Sequence, residues 1–224
     1  ITALAFSPRS DSAYLLAAGS SSARVTLFDL DKGKEVASYS EHKDEVRSIS
    51  FFEDGKLFAS AGKDGIVYLY EVGQKASSKL ADLHLGSIEA VALIPVRLDA
   101  EDTLATPALL TGSADQTVRI WEFARIDVSK KDLARQFRSH SQPVTAVGFN
   151  EKHGRIFVSA SADGTVKLYD LMHESLTLTG HVGPVRAVVI APDQSFLASA
   201  GHDGTIRFWR AAERVTDRAE KDRK

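Results

Sequence analysis

Five times along the chain, a run of alternating apolar residues is broken by a short polar turn and resumes in a second run closing on an aromatic side chain. These stretches are LLAAGSSSARVTLFD, LFASAGKDGIVYLYE, ALLTGSADQTVRIWE, IFVSASADGTVKLYD and FLASAGHDGTIRFWR. Side chains on an extended backbone point alternately to opposite faces, so each run predicts a strand and each pair of runs a hairpin. The closing aromatics fall at Phe28, Tyr70, Trp121, Tyr169 and Trp209, at intervals of 42, 51, 48 and 40 residues. A unit of this size cannot bury both of its apolar faces alone and has to stack on its neighbours. The chain is therefore expected to be all-β, with a single array over residues 1–210 divided roughly into 1–41, 42–83, 84–139, 140–180 and 181–210.

The same alternation predicts four strands per unit. In the fourth copy they fall at Val144–Phe149, Ile156–Ser161, Thr165–Tyr169 and Ser175–Thr179. Strands this rich in Val, Ile, Leu and aromatics, with few charges in their middles, suit sheets held between two others. Asp64-Gly65, Asp163-Gly164 and Asp203-Gly204 separate the second and third strands. They predict a two-residue hairpin turn of the primed type, whose central residues take positive φ. Asp115-Gln116 stands there in the third copy. Glutamine is strained at positive φ, so a different or bulged turn is expected.

A second pattern is superimposed on the first. His42, His84, His140 and His181 each precede a strand of the form V-x-x-V/I, by 22, 31, 23 and 22 residues ahead of Asp64, Asp115, Asp163 and Asp203. A hydroxyl lies four residues before each aspartate, at Ser60, Thr111, Ser159 and Ser199, and an aromatic six residues after it, at Tyr70, Trp121, Tyr169 and Trp209. This fourfold register resembles the WD-repeat β-propeller family over essentially residues 1–210. The resemblance implies that each histidine hydrogen-bonds the strand hydroxyl and the turn aspartate, with the aromatic joining the network. The first copy has Ala18, Ser22 and Phe28 at the aligned positions, so its unit is expected to be the softest. Only Gly180-His181 keeps the family's Gly-His pair, and no copy keeps an intact Trp-Asp pair.

The resemblance further implies seven four-stranded blades closed by an N-terminal strand that completes the last one. Five are visible here, which sets the expectation that residues 1–224 are the C-terminal part of a seven-bladed ring. Residues 211–224 alternate in charge and are expected to be a helical or disordered tail. Two insertions in the third unit, Val96–Pro107 and Ala124–Asp132, are expected to lengthen loops on one face.

Charge and composition then exclude function classes. With 28 basic and 30 acidic residues the net charge is −2, too small to condense generally on nucleic acid or an anionic membrane. The chain has no cysteine, which removes thiolate metal sites and cysteine nucleophiles and suits an intracellular protein of the cytoplasm or nucleus. Ser, His and Asp could suggest a hydrolase triad, but a nucleophile occurs once, whereas this trio recurs four times in register. The loop histidines lie in separate units and form no metal-binding spacing. No phosphate-cradling loop is present, so no cofactor, metal or small-molecule substrate is expected.

What remains is recognition. In the family, partners dock on the top face around the central channel. Transferred by position, that face comprises Thr2 and Ser21; Glu45, Arg47 and Lys63; Ser87, Glu89 and Ala114; Pro143, Thr145 and Ala162; and Pro184, Arg186 and His202. Arg47 and Arg186 are the candidate anchors. The reading is a non-catalytic scaffold that binds other proteins or peptides within a multisubunit complex. A ribonucleoprotein subunit touching RNA through Arg47, Arg186 and Lys63, or a regulatory domain of a larger enzyme, are the alternatives.

Overall fold

The computed structural model describes residues 1–8, 14–75, 77–80, 83–96, 106–124, 127–150, 156–170 and 174–210, and every regular element among them is a strand. The first sheet holds β1 (Ala3–Phe6), β2 (Leu15–Gly19), β3 (Val25–Asp29) and β4 (Lys34–Tyr39), and the second holds β5 (Val46–Phe51), β6 (Leu57–Gly62), β7 (Val67–Glu71) and β8 (Ser77–Leu80). The third contains β9 (Ile88–Val96), β10 (Thr106–Ser113), β11 (Val118–Ala124) and β12 (Asp127–Phe137). The fourth contains β13 (Val144–Phe149), β14 (Ile156–Ser161), β15 (Val166–Asp170) and β16 (Glu174–Leu178). The fifth has β17 (Val185–Ile190), β18 (Leu197–Gly201) and β19 (Ile206–Trp209). All pairings are antiparallel between consecutive strands.

Among the described residues the last unit has three strands. The residues that would follow β19, 211–224, lie outside the described residues, as does the tail expectation placed on them.

The hydrophobic core is four separate layers, one between each pair of successive sheets. Leu15, Ala17, Leu27 and Tyr39 of the first sheet meet Phe58, Tyr68 and Tyr70 of the second, whose other face, Ala59, Val67, Leu69 and Leu80, meets Ile88, Val91 and Trp121 of the third. The remaining layers join the third to the fourth sheet and the fourth to the fifth. Small residues on one face and aromatics on the other let each sheet serve two neighbours.

The layers are wedge-shaped. Neighbouring sheets approach along their first strands, in the series β1, β5, β9, β13, β17, more closely than along their outer strands. Sheets that meet at one edge and splay at the other fan about an axis, which is propeller geometry. Polar groups on the inner edge find partners across the layers. The N–H groups of Val91 and Leu93 donate to Ser48 and Ser50 at 3.1 and 3.0 Å, and the Thr145 hydroxyl donates to the Val185 carbonyl at 2.5 Å. The first and fifth sheets do not pack on each other among the described residues, and they turn Leu4 and Phe6, and Ile206 and Phe208, to solvent.

Several sequence expectations change. Gly65 N–H donates to the Gly62 carbonyl and Gly62 N–H to the Ile66 carbonyl, so the loop has three residues, with only the last, Gly65, at positive φ (73°). That is a type I turn followed by a left-handed residue, not a two-residue primed turn. Gln116 occupies the same left-handed position at φ 71°, and its N–H makes the same bond to Ser113, so the third copy keeps the common turn despite lacking the glycine. Nor does Ala124–Asp132 make a longer loop: β12 begins at Asp127 and pairs back along β11, with Phe123 opposite Lys131 and Ala124 opposite Asp127. Thr106 and Pro107 likewise extend β10 against Val96 and Pro95. The third sheet is lengthened at one end because the inserted backbone pairs with itself. The rest of Val96–Pro107, residues 97–105, lies outside the described residues.

Gln116 is exposed, so its strain is not offset by side-chain packing. Gln116→Gly is expected to stabilise the chain by about 1 kcal/mol, the approximate cost of a left-handed L-residue. The urea midpoint of the variant against the unchanged chain measures it, and an unchanged or lower midpoint refutes the assignment.

Candidate functional site

Two sets of recurring residues can be followed into the structure. The first is the histidine set. His42, His84, His140 and His181 place Nδ1 2.9 Å from Asp64, Asp115, Asp163 and Asp203. Their Nε2 atoms lie 2.7, 2.7, 2.7 and 2.8 Å from Ser60, Thr111, Ser159 and Ser199. The hydroxyls in turn meet the aromatics. Trp121 Nε1 donates to Thr111 at 3.1 Å and Trp209 Nε1 to Ser199 at 2.9 Å, while the Tyr70 and Tyr169 hydroxyls lie 3.2 Å from Ser60 and Ser159. A carboxylate can only accept, so Nδ1–H donates to it, and a neutral imidazole then has Nε2 left to accept from the strand hydroxyl. Within these four networks both imidazole nitrogens and the strand hydroxyl are used. The first copy, with Ala18, Ser22 and Phe28, closes its turn instead through Ser20, Ser22 and Arg24.

Three further members escaped the sequence reading. Thr117, Thr165 and Thr205, each two residues after the aspartate, donate their hydroxyls to it at 2.6, 2.7 and 2.8 Å. The backbone N–H of the residue after each histidine, at Lys43, Leu85, Ser141 and Val182, also points at the carboxylate. The signal was the repeated D-x-T after the turn, which supplies a short hydroxyl where a turn aspartate can accept it. The third copy adds Arg119, which donates to Asp115, Thr117 and the Leu83 carbonyl and lies 6.0 Å from the Trp121 ring.

Burial acts on both partners. It pushes the His84 and His140 imidazoles below the ordinary histidine range, against the opposing pull of Asp115 and Asp163. Burial alone would raise the Asp115 carboxyl, but donors from Thr117 and His84 bring it down to about 2. Asp203 is drawn well below the usual carboxylate range, chiefly by the Val182 N–H. In the third and fourth copies the resting pair is therefore a neutral imidazole against a carboxylate.

The second set is the candidate partner face. In the second to fifth sheets the first strand carries a bulge at one position. Val46 pairs with Gly62 and Ser48 with Ala61, which leaves Arg47 as the extra residue; Glu89, Thr145 and Arg186 are skipped in the same way. A bulge of this kind turns the extra side chain out of the alternation. Beside each one, the residue before the turn aspartate donates its N–H to the residue that precedes the strand. These bonds run from Lys63 to Glu45, Ala114 to Ser87, Ala162 to Pro143 and His202 to Pro184, at 2.7–3.0 Å. Each sheet therefore presents its members of the set together. Arg47 is not a free cation: Glu45 lies 3.2 Å and Glu89 3.3 Å from its guanidinium. Arg186 and His202 are exposed. In the first sheet the Thr2 hydroxyl donates to the Val46 carbonyl, and Ser21 is exposed in the turn. Among the described residues, no three His, Cys, Asp or Glu side chains group as metal ligands, and no helix is long and apolar enough to cross a membrane.

Two outcomes are expected of the network. Asp163→Ala removes the acceptor of His140, Ser141 and Thr165 and is expected to cost about 2–3 kcal/mol in chemical denaturation. An unchanged midpoint contradicts the bridge. Because the folded chain holds His84 and His140 low, the unfolded chain takes up protons first, from about pH 6.5 downward. Stability is therefore full above that value and falls as pH drops toward 5. A second loss follows below about pH 4 as the unfolded carboxylates protonate before the folded ones. Thermal melts between pH 8 and 3 record both steps, and a flat melting temperature from pH 7 to 5 excludes the first.

Comparison with known proteins agrees with this geometry. The chain is 28% identical over 206 residues, 90% of its length, to anaphase-promoting complex subunit cdc20 of Dictyostelium discoideum. It is 26% identical over 217 residues, 92% of its length, to actin-interacting protein 1 of Drosophila melanogaster. It is 25% identical over 202 residues, 90% of its length, to the U3 small nucleolar RNA-associated protein 15 homolog of Xenopus tropicalis. The matches cover 39%, 32% and 36% of those proteins, so the chain spans about a third of the length of these relatives. The profile of the WD domain, G-beta repeat, fits residues 33–71, 84–122, 131–170 and 173–210. Its first, third and fourth matches begin in or just before the outer strand of one sheet and run on through the first three strands of the next. With the histidine network present in all four matched copies, the chain belongs to the WD-repeat family.

Proposed function

We propose that this chain is a non-catalytic interaction scaffold that holds other proteins in a multisubunit assembly inside the cell, through the rim formed by its strand bulges. The observation that supports it is the bulge itself. In four sheets one residue is released from the ladder at the same place, and the residues released, Arg47, Glu89, Thr145 and Arg186, differ in charge and size from sheet to sheet. A constant scaffold that holds variable side chains on one rim suits recognition. The recurring Ser, His and Asp are committed to one another, which leaves no base set against a free nucleophile in these copies. The relatives' names point the same way: one is a subunit of a complex, one interacts with actin and one is associated with an RNA.

That last relative favours the ribonucleoprotein reading, but the rim does not. Arg47 stands between two carboxylates, so its field is largely compensated before any phosphate arrives. A protein partner is the better match, with Arg186 as the free anchor. In affinity purification of the tagged chain, Arg186→Glu is expected to weaken the recovered partners about 30-fold, the scale of an interface anchor. Recovery should survive nuclease and fall only gently with salt. Partners retained by Arg186→Glu refute the rim assignment, and nuclease-sensitive capture with a steep salt dependence transfers the function to RNA.

A further inference from the structure

An open cleft of about 470 Å³ lies where the second sheet's turn faces the loop leading into the third sheet. Lys63, Asp64 and Lys79 line it from the second sheet, and His84, Leu85 and Ser87 from the third. Three features set it apart from an ordinary loop junction. Neither Lys63 nor Lys79 forms an ion pair among the described residues, although both are exposed beside a carboxylate. Asp64 does not seek either of them, because its oxygens already accept from His42, the Lys43 N–H and the Ile66 N–H. Leu85 is 93% exposed yet held in place: its N–H donates to Asp115 at 3.2 Å, and its neighbour His84 is locked by the network. A bare leucine on a fixed backbone is an apolar contact that costs little to order.

We propose that this cleft between the second and third sheets binds a short peptide segment of a partner, placing one Asp or Glu carboxylate between Lys63 and Lys79 and an apolar side chain on Leu85. The proposal rests on the scaffold reading and names the chemistry of one of its partners. The charge balance selects the ligand. Among the described lining residues, two ammonium groups face the Asp64 carboxylate and leave one positive charge, which a carboxylate neutralises and a doubly charged phosphate would overshoot. The network beneath supplies the rigidity, since both walls of the cleft, at Asp64 and at His84, are members of it.

The test uses fluorescein-labelled eight-residue peptides that carry one leucine and, two to four positions later, glutamate, glutamine or phosphoserine, titrated into the purified chain. Glutamate peptides are expected to bind at least about tenfold tighter than their glutamine counterparts. The double variant Lys63→Glu, Lys79→Glu is expected to abolish that difference, and Leu85→Ser to weaken all peptides, while Arg186→Glu leaves binding intact. Thermal melts matching the unchanged chain exclude unfolding as the cause. Equal binding of glutamate and glutamine peptides, tighter binding of phosphoserine, no binding at all, or indifference to the lysine reversals overturns the cleft assignment. The two readings separate cleanly. If the lysine variant still captures every partner that Arg186→Glu loses and no peptide binds, the cleft falls and the scaffold stands, whereas if the unchanged chain captures nothing, the scaffold itself falls.

Discussion

The contact on which the rest of the structure depends is the imidazole that joins a loop to a turn. Each WD-type unit has to hold the segment entering its first strand against the hairpin between its second and third strands, and neither piece is long enough to pack a core of its own. His42, His84, His140 and His181 bridge them with one nitrogen on a strand hydroxyl and the other on a turn carboxylate. With side-chain exposures of 0–1%, a histidine lacking either partner would bear the full desolvation cost of an unpaired polar group. The network is therefore all or nothing within a unit. Aspartate is the better acceptor for this place because it also takes two backbone N–H groups of the same loop and turn, which no neutral residue could do equally well.

A fixed turn and loop have a consequence for the innermost strand. Its first residue must enter the layer between sheets, as Val46, Val144 and Val185 do at 0% exposure, and the apolar residue three positions on, Ile49 or Val188, must enter it too. Strict alternation would put those two on opposite faces. The bulge resolves the conflict by adding one residue between them, and the extra residue is the one released toward the rim. The demands of the core thus create the exposed position on which recognition is proposed to act.

Much of this was legible beforehand, and what was not has specific causes. The fourfold spacing of His, Ser or Thr, Asp and aromatic could be read because repetition turns a weak local pattern into a strong one, and the layered all-β arrangement followed from strands apolar on both faces. The turn type was misread because Asp-Gly suits both a two-residue primed turn and the last two positions of a three-residue loop, and only the hydrogen bonds of Gly62 and Gly65 distinguish them. Gln116 showed that the tertiary clamp through Asp115 outweighs about 1 kcal/mol of backbone strain. The inserted strand in the third sheet reads as loop because ARIDVSKKD is polar, and a polar sequence does not prevent the backbone of an outer strand from pairing. The bulges were visible as the V-x-x-V/I spacing, a break in period two whose meaning needed a partner strand to reveal it.

The division of labour within the repeat also says where individuality must reside. Residues that recur in register are committed to the bridge, the layers or the turn, so they are the same in function from copy to copy and can carry no information about a partner. Specificity has to come from positions where the copies differ while the backbone does not. The residue after the histidine is one: Lys43, Leu85, Ser141 and Val182 all donate the same N–H to the same kind of carboxylate, yet they expose an ammonium, an isobutyl, a hydroxyl and an isopropyl group. The bulge residue is another, with Arg47 and Glu89 compensating each other across two sheets while Arg186 stands free. An identical backbone hook that presents unlike side chains at known spacing gives evolution a way to change what is bound without touching what folds. The price of that arrangement is that fold and partner must be read from different residues of the same repeat.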